Sequence, residues 1–444
     1  MSRAPHASSP RVFDVCIVGA GPSGSTAAYL LTRQGLSVAL VDRARFPRDK
    51  TCGDGITQRG ARVLDRIGAL SGIAGVGFAC HGVDIRGPGL DGRTVEFTMR
   101  FDRGRASGPS DLIVLPRLAL DDLLLRHALG AGPSYFDATR VVSIETHETH
   151  ARVSTDSDLV IDAATVVLAT GAESQLLRAC GLLSKKPPIE HAARAYFDGV
   201  EGLSDRVVLF FDGVDLPGYG WIFPTSATSA NIGCGVFAQN GVEAGVVAKP
   251  MPQAQRLEAL IATHPLLVAM LRTARQTGPV RAYPLRTDFH RDFAGRDRLL
   301  VVGEAAGLVN PITGEGIDYA LESAEFLASA FAACWPKRRA NGHAAPTRLD
   351  AAAATRITED YRARLSRRFT RRFSLYRTLQ RHALAPERTP ALLAQVATAP
   401  ALQRLVVDGL FGRARPAHLL RPGTLWQIAR MLARAAPRTI HRPV

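Results

Sequence analysis

The chain has 444 residues, 46% of them hydrophobic, with a formal net charge of +15. That length is enough for roughly two or three domains with substantial cores, and the apolar fraction excludes a disordered chain. No apolar run reaches the ~18–20 residues a spanning helix needs, and six cysteines without close pairing or metal-ligand spacing exclude a disulfide scaffold and give no metal site.

Residues 1–10 are rich in Ser, Pro, Arg and Ala and read as a loose tail. From Val12 to Val18 the chain reads as a buried parallel strand. Gly19-Ala20-Gly21-Pro22-Ser23-Gly24 follows, then a helix pattern to about Arg33 and a second strand ending at Asp42. This is a dinucleotide fingerprint in its required context, with the acid 18 residues after Gly24. Gly19 makes the turn, Gly21 admits a pyrophosphate to the helix N-terminus, and Gly24 lets helix and strand pack closely. Asp42 is placed for a ribose hydroxyl pair.

Residues 81–114 hold short alternating runs such as Val83-Asp84-Ile85-Arg86 and Val95-Glu96-Phe97-Thr98. A second glycine-rich turn ends a buried strand at Val166-Val167-Leu168-Ala169-Thr170-Gly171-Ala172. Residues 186–284 carry more strand-like runs, and the 81–114 and 186–284 segments together predict an antiparallel sheet. Within them, Tyr219, Trp221 and Phe223 alternate and so share one face; that pattern suits either sheet core or a pocket wall. A third glycine-rich element, residues 303–317, follows the strand Leu299–Val302 and opens a helix with Ile317, Leu321, Ala324 and Leu327 on one side. Its Gly314 and Gly316 would let a flat ring lie almost on the backbone beside the partial positive charge of that helix. A nicotinamide enzyme needs only the N-terminal unit, whereas three such elements so far apart match a chain wrapped around FAD.

Residues 336–355 read as a linker. From Arg356 to the end, 18 arginines stand against four acids, which leaves the rest of the chain close to neutral. Apolar residues from Tyr361 to Leu379 recur at three or four, and Leu425 to Arg434 forms a second basic amphipathic piece. Such helices either lie on an anionic membrane or pack on the body with a solvated basic face. No nucleic-acid reader motif accompanies the charge.

The segment Tyr219-Gly220-Trp221-Ile222-Phe223-Pro224, an eight-residue spacer and Gly233-Cys234-Gly235 resemble the signature of the FAD-dependent geranylgeranyl reductase family, a group of flavoproteins built like aromatic hydroxylases. Lys50-Thr51-Cys52-Gly53-Asp54-Gly55 and Arg117 with Asp121 are further matching pieces, and the likeness covers roughly residues 12–335. Two departures stand out: Gly303-Glu304 where the family usually has Gly-Asp, and Thr170 where many relatives carry Asp. The resemblance implies an α/β fold with a Rossmann-type FAD-binding domain (11–80, 115–185, 285–335), an inserted antiparallel-sheet substrate domain (81–114, 186–284) and a helical C-terminal region (356–444). It assigns FAD contacts to the fingerprint, Asp42, Arg43, Gly53, Arg117, Thr170, Gly171, Glu304 and residues 314–317.

The implied reaction is saturation of an isoprenoid double bond. An isolated alkene resists hydride, so protonation comes first; the resulting cation is stabilised by ring faces by about 0.5–2 kcal/mol each, with Tyr219 and Trp221 as candidates. Cys52 is the first candidate proton donor, with Asp54 and a bound water competing. The electron donor is NAD(P)H or a ferredoxin-like protein. Rival readings are a monooxygenase or halogenase on the same scaffold, and a prenyl-lipid carrier without catalysis. The expected location is cytoplasmic, with peripheral contact to the inner face of the membrane through the basic helices.

Overall fold

The computed structural model describes residues 9–101, 112–236, 251–335, 348–411 and 422–435. Most of the expected N-terminal tail, the expected linker up to residue 347 and the last nine residues of the basic region lie outside them.

The N-terminal apolar run forms the strand Arg11–Val18, whose last five residues are buried. It pairs in parallel with Val38–Val41 on one side and Val160–Leu168 on the other. Leu299–Val301 and Ser134–Phe136 extend the parallel sheet at its two ends. Strands buried on both faces read as continuous Val, Ile and Leu runs, which is the pattern here. The sheet aligns the C-terminal ends of three strands, so the turns beginning at Gly19, Ala169 and Val302 meet along one edge. Helices Pro22–Arg33 and Ile317–Cys334 pack against each other over this sheet.

A second sheet runs in the order 275–276, 190–198, 229–236, 218–224, 207–210, 82–88, 94–100, with 281–285 also paired to 190–198. One pairing departs from the antiparallel expectation: Val207–Phe210 runs parallel to Gly82–Pro88. The physical reason is that the chain leaves this sheet after residue 100, builds part of the first sheet, and returns, so no hairpin constrains the direction. A small three-stranded sheet, 55–57, 112–114 and 78–80, lies between the two.

The C-terminal helix is longer than expected. It runs from Ala351 to Ala383, capped by the Asp350 carboxylate on the Ala353 N–H at 2.6 Å, so residues 351–355 are helix and not linker. Tyr361, Leu365, Phe369 and Phe373 are fully buried along it. The Phe369 and Phe373 rings pack among Phe289 and Tyr319, with centroids 5.4–6.0 Å apart. Burial of each such ring is worth about 1.5–3 kcal/mol. That apolar face is therefore core and not a membrane surface. Part of its basic face is also paired, as Arg368 is with Glu322 at 2.6 Å. Three further helices, Thr389–Thr398, Pro400–Leu410 and Pro422–Arg434, close the structure. The first two place Leu393, Val396 and Val407 in one buried cluster with Val83 and Ile85 of the second sheet. Among the described residues no helix is long and apolar enough to cross a membrane.

Candidate active site

A cavity of about 730 Å³ opens between the two sheets. Its walls bring together residues from all three glycine-rich elements: Gly19 and Ser23, Thr170 and Gly171, Glu304 and Gly314.

The fingerprint behaves as its spacing demands. A side chain at Gly24 would place Cβ 1.8 Å from the Gly19 carbonyl oxygen, and one at Gly19, where φ is +107°, would sit 2.4 Å from that of Ala169. These glycines let helix and strands close together. Gly21 caps the helix without a side-chain hydrogen bond, and Pro22 follows at its first turn. The first N–H groups, beside the cavity-lining Ser23, are thus left for an anion. Asp42 is oriented by backbone: Oδ2 accepts the Ala20 N–H at 2.6 Å and Oδ1 that of Ala44 at 2.8 Å. Asp42 and Arg43 line the cavity. Ala20, Gly21 and Gly24 stand behind it, shaping the turn.

The second and third elements meet at Glu304. Its Oε2 accepts from Lys50 Nζ at 2.7 Å, while Oε1 is buried with no partner. A Cβ at Gly171, where φ is +66°, would lie 3.5 Å from Oε2. Lys50 Nζ also sits 4.7 Å from the centre of the Tyr283 ring. Thr170 Oγ1 donates to the Glu173 carbonyl at 3.0 Å. In the 303–317 loop Gly314 has φ +64°, and Gly316 caps the helix that starts at Ile317. The Glu315 side chain is committed to protein: Oε1 accepts from Thr57 Oγ1 at 3.1 Å, and Arg59 Nη1 lies 3.7 Å from Oε2. Burial, with Asp318 alongside, pushes its carboxyl well up. Arg117 forms a two-pronged pair with Asp121 at 2.6 and 2.7 Å and lines the cavity.

The aromatic strand Gly218–Pro224 supplies the opposite wall. Tyr219, Trp221 and Phe223 all line the cavity, with neighbouring centroids 6.0 and 6.4 Å apart. Gly233 faces Trp221 across the strand pair, and a Cβ there would come within 2.2 Å of the indole. Tyr219 donates its hydroxyl to the Thr313 carbonyl, which fixes the wall against the third loop.

The Cys52–Gly55 turn crosses beneath this wall. Gly53 lies against the rings of Phe223 and Trp221. Burial raises the Cys52 thiol, so it keeps its proton at neutral pH. Asp54 is fully buried in a left-handed backbone conformation at φ 67°. Burial pushes its carboxyl up to about 6, against hydrogen bonds from Tyr196 and Asn231 that pull it down. Tyr196 OH and Asn231 Nδ2 reach Asp54 Oδ2 at 2.6 and 2.7 Å. Asn231 Nδ2 also donates to the Cys52 carbonyl at 2.7 Å, and Asn231 Oδ1 accepts the Trp221 indole N–H at 2.9 Å. Sequence reasoning missed Asn231 and Tyr196. The available signal was a lone amide at an inward position of an otherwise apolar strand, Ala230-Asn231-Ile232.

All six cysteines are free thiols; Cys16 is buried as expected, whereas Cys180 is only half-buried. Lys50 reaches the cavity, and there its ammonium is held by Glu304.

These residues fit FAD. The uncapped helix start suits a pyrophosphate, the orphaned Glu304 Oε1 lacks a donor that a ribityl hydroxyl would supply, and the glycines leave a flat slot beneath the aromatic wall.

Known proteins agree. A family model described as "FAD binding domain" matches residues 12–359. The menaquinone reductase of Mycolicibacterium smegmatis is 32% identical over 73% of this chain and 79% of its own. The digeranylgeranylglycerophospholipid reductase 2 of Methanosphaera stadtmanae is 29% identical over 70% and 75%. In structure, a geranylgeranyl bacteriochlorophyll reductase-like protein from Thermoplasma acidophilum superposes with a TM-score of 0.72, covering 95% of this chain and 99% of that one at 20% identity.

Proposed function

Because this chain belongs to the FAD binding domain family, as an FAD-dependent oxidoreductase of the geranylgeranyl reductase type, we propose that it saturates a carbon–carbon double bond in the isoprenoid chain of a hydrophobic lipid. The observation that carries this reading is the pairing of a flavin cradle with an aromatic wall in one cavity. Relatives named as reductases of menaquinone and of a digeranylgeranyl phospholipid support the substrate class.

When bound and reduced, FAD supplies the hydride equivalent that completes saturation. The helix start at Gly21–Ser23, Asp42, Glu304 and the turns at Thr170–Gly171 and Gly314–Gly316 would hold it. The chain's own residues do the rest. Tyr219, Trp221 and Phe223 exclude water and offer ring faces to a cation on the substrate. Cys52 holds a proton on Sγ beside that wall, and Asp54, which holds a second below about pH 6, stands behind it in a turn fixed by Asn231 and Tyr196.

No second dinucleotide fingerprint is visible in the sequence, so the reductant is read as NAD(P)H bound fleetingly or a ferredoxin-like protein. Lipid would reach the site from a membrane that the last helix would touch, a reading supported by Trp426, 61% exposed there with the Arg430 guanidinium 5.2 Å from its ring centre.

The test is anaerobic incubation of the reduced holoprotein with a prenylated quinone and a digeranylgeranyl lipid, read by mass spectrometry. A gain of two hydrogens in either supports the reading. Product formed only with stoichiometric oxygen uptake would move the protein to the oxygenases; a colourless protein that takes up no FAD would make it a carrier.

A further inference from the structure

The cavity has two characters. Charged residues, among them Asp42, Arg43, Lys50 and Glu304, line it, and so does an apolar set that apart from Leu384 forms one hydrophobic cluster: Leu112, Leu209, Phe211, Phe223, Leu384 and Phe411. The last two come from the C-terminal region, beyond residue 359 where the family match stops. Leu384 ends the long helix. That helix end is pinned one turn earlier, where Gln380 Nε2 donates to the Pro311 carbonyl at 2.7 Å and to Glu190 Oε1 at 3.3 Å. Phe411 follows helix Pro400–Leu410, is 8% exposed, and packs its ring 5.0 Å from that of Phe101. Its cluster continues through Leu393 and Val407 into the second sheet, so the ring is backed by core and cannot swing away freely.

We infer that Phe411 and Leu384 set which prenyl chains the site accepts, as the end wall of its apolar lining. The flavin cradle and the aromatic strand lie inside the segment the family model matches, whereas this wall lies beyond it. An apolar pocket selects by fit, and one misplaced methylene changes discrimination by about 10- to 200-fold. A wall side chain that size therefore decides how much chain can extend past Trp221, and with it which double bond stops at the ring faces. This inference rests on the isoprenoid reading above.

The experiment uses the full chain loaded with FAD and menaquinones whose side chains lengthen one isoprene unit at a time. Both turnover and the change in flavin absorbance on titration are measured. Phe411→Ala is expected to shift the ratio of kcat/KM values toward longer chains by about tenfold or more, and Leu384→Phe toward shorter ones, with FAD content unchanged. Phe411→Leu, a smaller step in volume, serves if the alanine variant does not fold, and is expected to shift the ratio in the same direction. Ratios equal to wild type in Phe411→Leu and Leu384→Phe overturn the inference. If wild type binds the series but reduces none of it, the proposed reaction falls, and the binding ratios still decide the role of the wall. If wild type binds none of the series, both fall.

Discussion

The indole N–H of Trp221 ends on the side-chain oxygen of Asn231, 2.9 Å away, and the nitrogen of that same amide holds both the Cys52 carbonyl and the Asp54 carboxylate. One fully buried side chain thus sets the distance between the aromatic wall and the turn that carries the proton donors. Asn231→Ala would leave the indole and the carboxylate short of partners, at about 1–3 kcal/mol for each unmet group. The variant is expected to melt several degrees lower and to lose turnover more than FAD affinity, as read by thermal denaturation and flavin titration.

The contact between Gly24 and the Gly19 carbonyl sets a second expectation. A methyl group at 24 cannot fit at 1.8 Å from that oxygen, so Gly24→Ala must push the helix start away from the strand. FAD affinity should fall by about tenfold or more, since the backbone N–H groups lose their aim. Absorbance of the purified protein in the flavin bands gives the answer directly; full occupancy would refute the assigned role of the turn.

Cys52 and Asp54 make separable predictions. Cys52→Ala should cut turnover while FAD stays bound. An unchanged rate would remove the thiol and leave Asp54 and a bound water as the candidate donors. Asp54, with its carboxyl raised to about 6 by burial, loses its proton as pH passes that value. If it is the donor, kcat falls above roughly pH 6, and Asp54→Asn abolishes that limb along with most of the activity. A profile flat through this range in wild type would assign the proton elsewhere.

Glu190 gives the pH dependence of stability. It is 3% exposed, and burial pushes its carboxyl from 4.5 to about 8. The native state therefore holds this proton over a range in which the unfolded chain has released it. Stability falls as pH rises from about 4.5 to 8, the reverse of the usual carboxylate pattern. Glu190→Gln should flatten that decline and leave the protein more stable at pH 8 by on the order of 4 kcal/mol. Denaturant melts at pH 5 and pH 8 measure it; parallel declines in both proteins would contradict the assignment.

Elements governed by local rules were legible in the chain. The fingerprint could be read because each glycine answers a backbone constraint a few residues away, and the alternation of Tyr219, Trp221 and Phe223 survives as one cavity wall because a strand has a period of two. The amphipathic run from Tyr361 fixed a helix but not its partner, since a buried face and a membrane-facing face have the same pattern; only packing against Phe289 and Tyr319 chose between them. Likewise the pairing of Val207–Phe210 with Gly82–Pro88 and the arrival of Phe411 at the cavity depend on contacts more than a hundred residues apart. Glu304 was assigned to FAD from the sequence, but its bond to Lys50 depends on two loops meeting in space.

The 33-residue C-terminal helix holds the third glycine-rich element at two points: Tyr361 OH donates to the Val301 carbonyl just before it, and Gln380 to that of Pro311 within it. A chain shortened to residue 350 would lay a stripe of aromatic rings open to water and release the loop that receives the flavin. It would be expected to clump before it could misfold in any subtler way, so attempts to trim the molecule to the segment its family shares would discard the brace that keeps that segment in solution.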